Sequence, residues 1–463
     1  MTTIPRLVIA APSSGHGKTA VSVGLIAALA ARGLTTAGFK IGPDYVDAGY
    51  LGLASGRHGR NLDPRLVGAG LVPGLFSYGA EGSDVAIVEG TMGLYDGLSG
   101  RADESSTAQV AGALRAPVVL VVDAASMGQS VAALVHGFRS YDELLWLGGV
   151  VLTRVASDRH EQILRASLDE LGVPVLGVLR RSDITPLPPR NHGLVPVTDH
   201  SVDAVRAVRR LGERMLDCLE LERMLTLARS APPLSADPWS PAAAVEADRP
   251  ADADSAYASD DLDDEQRPLV AVAGGGSFWY GYAETAELLT AAGARVAPFD
   301  PLRDEQLPAG SKALVIGGGF PEVYADELAA NTRLQDEVVG LARAGGPIYA
   351  ENAGLLWLVK EFDNRAMCGV FDASAASTNM LVLGYRDAVA RASSSVVKIG
   401  ARVTGHKHHR TLVTPRAGDS AAWQWQGGRP EGFIWRKVHA SYLNVHWAGY
   451  PEMARRFVQA IER

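Results

Sequence analysis

Between Leu7 and about Leu227, short apolar runs rich in β-branched residues alternate with longer stretches whose apolar positions recur at helical spacing. The runs LVIAAP, DVAIVEG, APVVLVVDA and LGGVVLTRV carry few polar interruptions, as strands buried on both faces do. AVSVGLIAALAARGL follows the first of them with a helical pattern. This rhythm predicts a parallel sheet covered by helices. The periodicity fails from about residue 230 to 267, where Pro, Ala, Ser and acidic residues dominate and large apolar groups are scarce. It resumes at Pro268 with LVAVAGG, YAETAELLTAAG, ALVIGGG and PIYAENAGLLWLV. The expected organisation is an α/β domain over 1–229, an acidic linker over 230–267 and a second α/β domain over 268–463.

The length of 463 residues fits this division, because a single hydrophobic core stops growing well below it. At 47% hydrophobic and 21% charged, the chain can build such cores and is unlike a disordered or fibrous sequence. A net charge of -8 gives no electrostatic basis for gripping a phosphate backbone, so no nucleic-acid partner is expected. No apolar run reaches about 18 residues and the N-terminus lacks a signal-peptide pattern, which reads as a cytoplasmic protein without a membrane partner. Cys218 and Cys368 stand far apart without CxxC spacing, so both are expected to be buried packing thiols.

APSSGHGKT (11–19) follows the first predicted strand and opens the first predicted helix. In that context glycine backbone can cradle phosphate oxygens, Lys18 can neutralise their charge and the Thr19 hydroxyl can face Mg²⁺. Pro12 stands where the usual phosphate-loop pattern begins with Gly, so the motif is a variant. Ser14, Gly15, His16, Gly17, Lys18, Thr19 and Ala20 are the candidate ATP-binding residues; the alternative is an ordinary Gly-rich turn. Two acidic segments, FKIGPDYVDAGY (39–50) and VEGTMGLYDG (88–97), follow strands at the C-terminal sheet edge, where such folds bind ligands. Thr19, Asp44 and Glu89 are the candidate Mg²⁺ ligands, since that ion takes hard oxygen donors beside phosphates. Asp47 and Asp96 would serve a second metal or the substrate. Taken singly, each acid could instead be a solvated loop residue or a helix cap.

These motifs, continued by NLDP (61–64), STAQVAGALRAPVVLVVDA (106–124), QSVAALVHGF (129–138) and RHEQILRASLDELGVPVLGVL (159–179), resemble the cobyrinic and hydrogenobyrinic acid a,c-diamide synthases. The second half adds GYAETAELLTAAGARV, FDPLRDEQLPAG, GGGFPEVYADEL, MCGVFDA and LGYRDAV, and is similar to a class I glutamine amidotransferase domain. The resemblance implies a P-loop, dethiobiotin synthetase-like parallel-sheet domain followed by an amidotransferase-like α/β domain. It also implies ATP-dependent phosphorylation of a corrinoid or other tetrapyrrole carboxylate, displacement of phosphate by an amine or ammonia, and a homodimer.

The pattern breaks in the second half. Where the family has a nucleophilic Cys in a stretch like YAECAGLLWL, this chain reads YAENAGLLWL and places Asn352. A carboxamide cannot form the thioester that glutamine hydrolysis needs. The family's general-base His in ASYLHxH becomes Asn444, leaving His446 two residues on, and GHEFHRT becomes GHKHHRT, with Lys407 for the acid and His408 for the aromatic. So many lesions read as natural decay of glutamine hydrolysis. The histidines 406, 408, 409, 439 and 446 overlie family motifs and are read as packing or surface residues. In the first half Leu51, Ala48 and Thr153 depart from the family and are expected to reshape the acceptor pocket. Competing readings are a paralogue amidating a non-corrinoid acid, a regulatory pseudoenzyme partner of an active synthase, and a nucleotide-dependent switch; Ser13 and Ser14, where switch proteins carry an extra Lys, argue against the last.

Overall fold

In a computed structural model of the chain, residues 3–97, 105–181, 183, 202–247 and 266–461 are described. The chain divides into two compact units at Trp239 and Ser240. The apolar runs of the first half become strands: β1 (Arg6–Ala10), β2 (Thr36–Ile41), β3 (Arg60–Leu62), β4 (Val85–Glu89), β5 (Val118–Asp123), β6 (Leu147–Val155) and β7 (Val175–Arg180). They form one sheet in the order β3-β2-β4-β1-β5-β6-β7 with every pairing parallel. All residues of β1, β2 and β4 are buried, which is why those runs contain almost no polar positions. Parallel pairing carries all C-terminal strand ends to one edge, where the acidic segments follow β2 and β4.

The segment after the helix Leu221–Arg229 departs from the linker expectation. Leu234 and Trp239 are buried, the Trp239 N–H donates to Gly74 O at 2.9 Å, and the buried Arg6 guanidinium donates to Leu114 O at 2.6 Å and Pro232 O at 2.5 Å. Two large apolar anchors suffice to dock a stretch whose composition reads as loose. The next turns, Pro241–Ala247, are helical and pack on the helices Ala283–Ala291 and Glu452–Gln459 of the second unit. Residues 248–265 of the expected linker lie outside the described residues. Cys218 likewise differs from expectation: it is half-buried and donates to Asp183 at 3.7 Å, and burial together with that acid pushes its thiol up to about 11.

The second unit contains β8 (Leu269–Ala273), β9 (Arg295–Phe299), β10 (Ser311–Ile316), β11 (Ile348–Glu351), β12 (Val359–Phe362), β13 (Arg365–Ala366), β14 (Phe371–Ala390), β15 (Arg402–Thr414), β16 (Trp423–Trp425), β17 (Phe433–Trp435) and β18 (Val438–Ser441). One sheet runs β17-β18-β11-β10-β8-β9, parallel except for the edge strand β17. The other, β13-β12-β14-β15 with β16 on β14, is built on a long antiparallel pair whose register shifts between Ser377 and Val382. Between the sheets the short helix Ala353–Leu358 is buried at every position, with Trp357 among the largest core side chains.

Candidate active site

The phosphate loop starts from β1 and ends at Gly17, which caps the helix Lys18–Ala31 with φ +97°. Gly15 is also left-handed, φ +89°, a conformation that side chains rarely adopt. No side chain caps this helix, so its first N–H groups face the loop with the positive end of the helix dipole, a ready anion site. Thr153, one of the departures from the family pattern, donates to His16 O at 3.0 Å and so steadies the loop. His16 Nδ1 accepts the Asp123 N–H at 2.9 Å, which leaves the proton of the neutral ring on Nε2. Burial, Lys18 and Arg154 lower its pKa and favour that neutral form.

The β4 exit is stitched to the loop: Gly90 N donates to Ile9 O and Leu94 N to Ala11 O, each at 2.8 Å. A side chain at Gly93 would meet Pro12 O at 2.5 Å, so only glycine permits this approach. Lys18, buried within the loop, donates to Ser13 O at 3.2 Å and Met92 O at 2.5 Å. Burial, then Lys40, lowers its pKa to about 8. Thr19 Oγ1 donates to Glu89 Oε1 at 2.7 Å, bringing together two of the three residues assigned to Mg²⁺.

A residue that the sequence reading passed over organises the centre. Lys40, at the end of β2 and 3% exposed, pairs with Asp47 Oδ2 at 2.7 Å and Glu89 Oε1 at 2.8 Å, and donates to Gly90 O at 3.0 Å. A lysine inside a strand buried on both faces was the signal available. Burial opposes its charge, but Glu89 and Asp47 outweigh burial and raise its pKa above the ordinary lysine value. Burial raises Glu89 to about 7 against the pull of Lys40, and burial with Asp47 raises Asp44. Asp44, Asp47 and Glu89 thus share the field of two buried ammonium groups, Lys40 and Lys18, and a dication would offset the remaining negative charge.

Glu89 Oε2 is buried and has no hydrogen-bond partner among the described residues, while Thr19 retains its lone pairs. These donors fit Mg²⁺. Among the described residues, no three His, Cys, Asp or Glu side chains converge to hold a metal by themselves, so the ion would share Thr19 and Glu89 with phosphate oxygens. Asp44 caps the helix Tyr45–Ser55, accepting the N–H groups of Val46 and Asp47 at 2.9 and 3.1 Å. Asp96, exposed, accepts the Gly93 N–H at 2.8 Å. Leu51 is fully buried beneath Gly38, and Ala48 is buried against Gly59, so these two departures from the family pattern are absorbed in packing.

In the second unit Asn352 sits on a sharp strand-to-helix turn between β11 and Ala353–Leu358, with φ +52° and ψ −107°. Its N–H donates to Ser441 O at 2.8 Å, and its side chain donates to His408 O at 3.0 Å. The Asn444 side chain donates to His406 O at 2.9 Å, and its Oδ1 faces Gly318 without a hydrogen-bond partner among the described residues. His446 is fully buried, stacked on Tyr282 at 3.9 Å, with Glu284 Oε2 3.8 Å from Nε2. The other cysteine, Cys368, is buried with its thiol pushed far above the ordinary range by burial. The sharp strand-to-helix turn therefore carries a carboxamide, which offers neither a thiolate nor a hydroxyl to activate.

Residues 7–195 match the CobQ/CobB/MinD/ParA nucleotide binding domain family, and residues 277–451 match the CobB/CobQ-like glutamine amidotransferase domain family. The hydrogenobyrinate a,c-diamide synthase of Streptomyces coelicolor is 54% identical, covering 98% of this chain and 97% of its own. That of Thermobifida fusca is 47% identical over 99% and 97%. The cobyrinate a,c-diamide synthase of a Synechococcus strain is 36% identical over 99% and 98%.

Proposed function

Because this chain belongs to the hydrogenobyrinate and cobyrinate a,c-diamide synthases, ATP-dependent amide-forming ligases, we propose that it amidates corrinoid carboxylates with free ammonia rather than glutamine. The observation that carries the reading is the pairing of a complete phosphate site with an elbow that bears Asn352 and faces no general base at Asn444.

A carboxylate is a poor electrophile until phosphorylated. The uncapped helix and Lys18 hold the ATP phosphates and stabilise charge on the transferring phosphoryl group. Lys40 keeps Asp47 and Glu89 in place at the β4 exit. Mg²⁺, held by Thr19 and Glu89, supplies charge neutralisation on the phosphates when bound. The substrate carboxylate attacks the γ-phosphorus and ADP leaves. Ammonia then adds to the acyl phosphate carbon and phosphate departs, leaving the amide and a proton. A retained phosphate site also weighs against a purely regulatory pseudoenzyme.

The test is turnover of hydrogenobyrinic or cobyrinic acid with ATP, using ammonium or glutamine, followed by mass spectrometry. Amidation with ammonium alone is the expected result. Equal amidation from glutamine, or glutamate release, would refute it. Asn352→Cys with Asn444→His should recover glutamine hydrolysis, and neither substitution alone should, since nucleophile and base act as a unit.

A further inference from the structure

Two arginines of the first unit stand in one turn without a carboxylate on either. Arg6, fully buried, directs its donors at carbonyl oxygens: Pro232 O at 2.5 Å, Leu114 O at 2.6 Å, Ile4 O at 2.9 Å and Arg115 O at 3.5 Å. Arg115 donates to Pro233 O at 3.3 Å. Among the described residues neither guanidinium pairs with an acid within 4.0 Å. Carbonyl dipoles satisfy the N–H groups but leave the net charge in place. Burial, then Arg115, lowers the pKa of Arg6 to about 10, so both remain charged at neutral pH and repel one another. Arg115 also follows the C-cap Leu114 of the helix Thr107–Ala113 with φ +48°, a left-handed position that glycine usually fills. A residue held in that conformation points to a use for its side chain.

The same turn borders a cavity of about 270 Å³. Among the described residues that line it, Arg115 alone is charged; the others, among them Ala111, Gly112, Trp146 and Pro232, are apolar. A Cβ on Gly112 would meet nothing within 4 Å, so the space beside the helix is open. Leu144, 95% exposed, and Trp146, 42% exposed, leave large apolar surface uncovered there. The neighbouring acid Asp142 is turned to the Leu144 N–H, which it accepts at 2.9 Å, and does not line the cavity. Ala116 and Trp146 stand just before β5 and β6, which places the cavity at the N-terminal edge of the parallel sheet, opposite the phosphate loop. A dry cavity of about 150 Å³ holds benzene, so this one has room for a ring with a short arm. We propose that it binds a small aromatic carboxylate, with the ring on Trp146 and Leu144 and the carboxylate on Arg115. The apolar lining calls for the ring, and the two uncompensated arginines call for the negative charge.

Isothermal titration of the full chain with phenylacetate, phenylacetamide and acetate tests this, since the amide removes the charge and acetate removes the ring. Phenylacetate is expected to bind at least about tenfold more tightly than either. Gly112→Leu fills the cavity from a helical position with room for a side chain, so it should fold as the wild type does and weaken phenylacetate about tenfold or more. Arg115→Gly relieves the left-handed backbone, so it should melt no lower than the wild type while binding phenylacetate no better than phenylacetamide. No phenylacetate binding by the wild type, equal binding of phenylacetamide or acetate, or a charge preference unchanged in Arg115→Gly would overturn the proposal.

Discussion

Replacing Lys40 by Met tests how the phosphate site is held together. Methionine keeps most of the side-chain volume but removes the cation 2.7 Å from Asp47 and 2.8 Å from Glu89, whose side chains are 9% and 0% exposed. Breaking a buried ion pair from one side costs about 3–5 kcal/mol because the remaining charge is uncompensated. The protein can evade part of that cost by protonating Glu89, which sits at about 7 even with Lys40 beside it. Without the cation its pKa rises further. A carboxyl whose folded pKa is raised stabilises the fold while protonated and loses that contribution as pH climbs through the folded value. Lys40→Met should therefore melt only slightly below the wild type at pH 6 and roughly 6 °C or more below it at pH 8.5. At neutral pH and above, a protonated Glu89 is a poor metal ligand, so turnover should fall about 100-fold or more and require higher magnesium. Adding Glu89→Gln to Lys40→Met should recover most of the melting temperature and none of the activity. Differential scanning fluorimetry across pH and steady-state rates against magnesium make the measurement. A Lys40→Met protein with wild-type melting at pH 8.5 and unchanged magnesium dependence would refute the reasoning.

Two further outcomes separate structure from chemistry. Asp44→Ser keeps an oxygen to cap Tyr45–Ser55 and should melt with the wild type, whereas Asp44→Ala should lose about 1 kcal/mol, seen as a melting shift of about 2–4 °C; if Asp44 also serves the reaction, both lose turnover, and full activity in the serine variant would reduce it to a cap. Glu351, which accepts from Tyr349 and from the Val445 N–H, has its carboxyl raised to about 8 by burial, so wild-type stability should fall as pH rises from 6 to 9. Glu351→Gln should flatten that decline by a few kcal/mol in chemical denaturation, and parallel curves for the two proteins would exclude the effect.

The parallel sheet of the first unit was legible because strands buried on both faces leave uninterrupted apolar runs, and the phosphate loop because a strand, a glycine turn and a helix stand in sequence there. Lys40 was not, since a charged residue closing an apolar strand looks like the strand's end until Asp47 and Glu89, distant in sequence, are seen around it. The same holds for segment 231–239, whose docking depends on Arg6 and Gly74. The antiparallel pair β14 and β15 escaped because long, half-exposed strands carry polar residues throughout; in β14 the alternation is clear only at its start. The proposed loss of the glutaminase pair is a residue-level reading, because it depends on which side chain occupies a motif position and not on the backbone that carries it.

The turn at Asn352 bears on the history of the chain. Its φ of +52° is flanked by two backbone hydrogen bonds, from the N–H of Asn352 to Ser441 O and from the N–H of Gly354 to Gly317 O. Asparagine is among the non-glycine residues that tolerate positive φ best. A change from cysteine at such a point would remove a nucleophile and relax the backbone in one step. Restoring cysteine would reintroduce strain of order 1 kcal/mol and bring no benefit until His also returned at 444. Under the proposed loss of glutamine hydrolysis, such a position would act as a ratchet: drift would pass it easily in one direction, and selection would have no single-step path back.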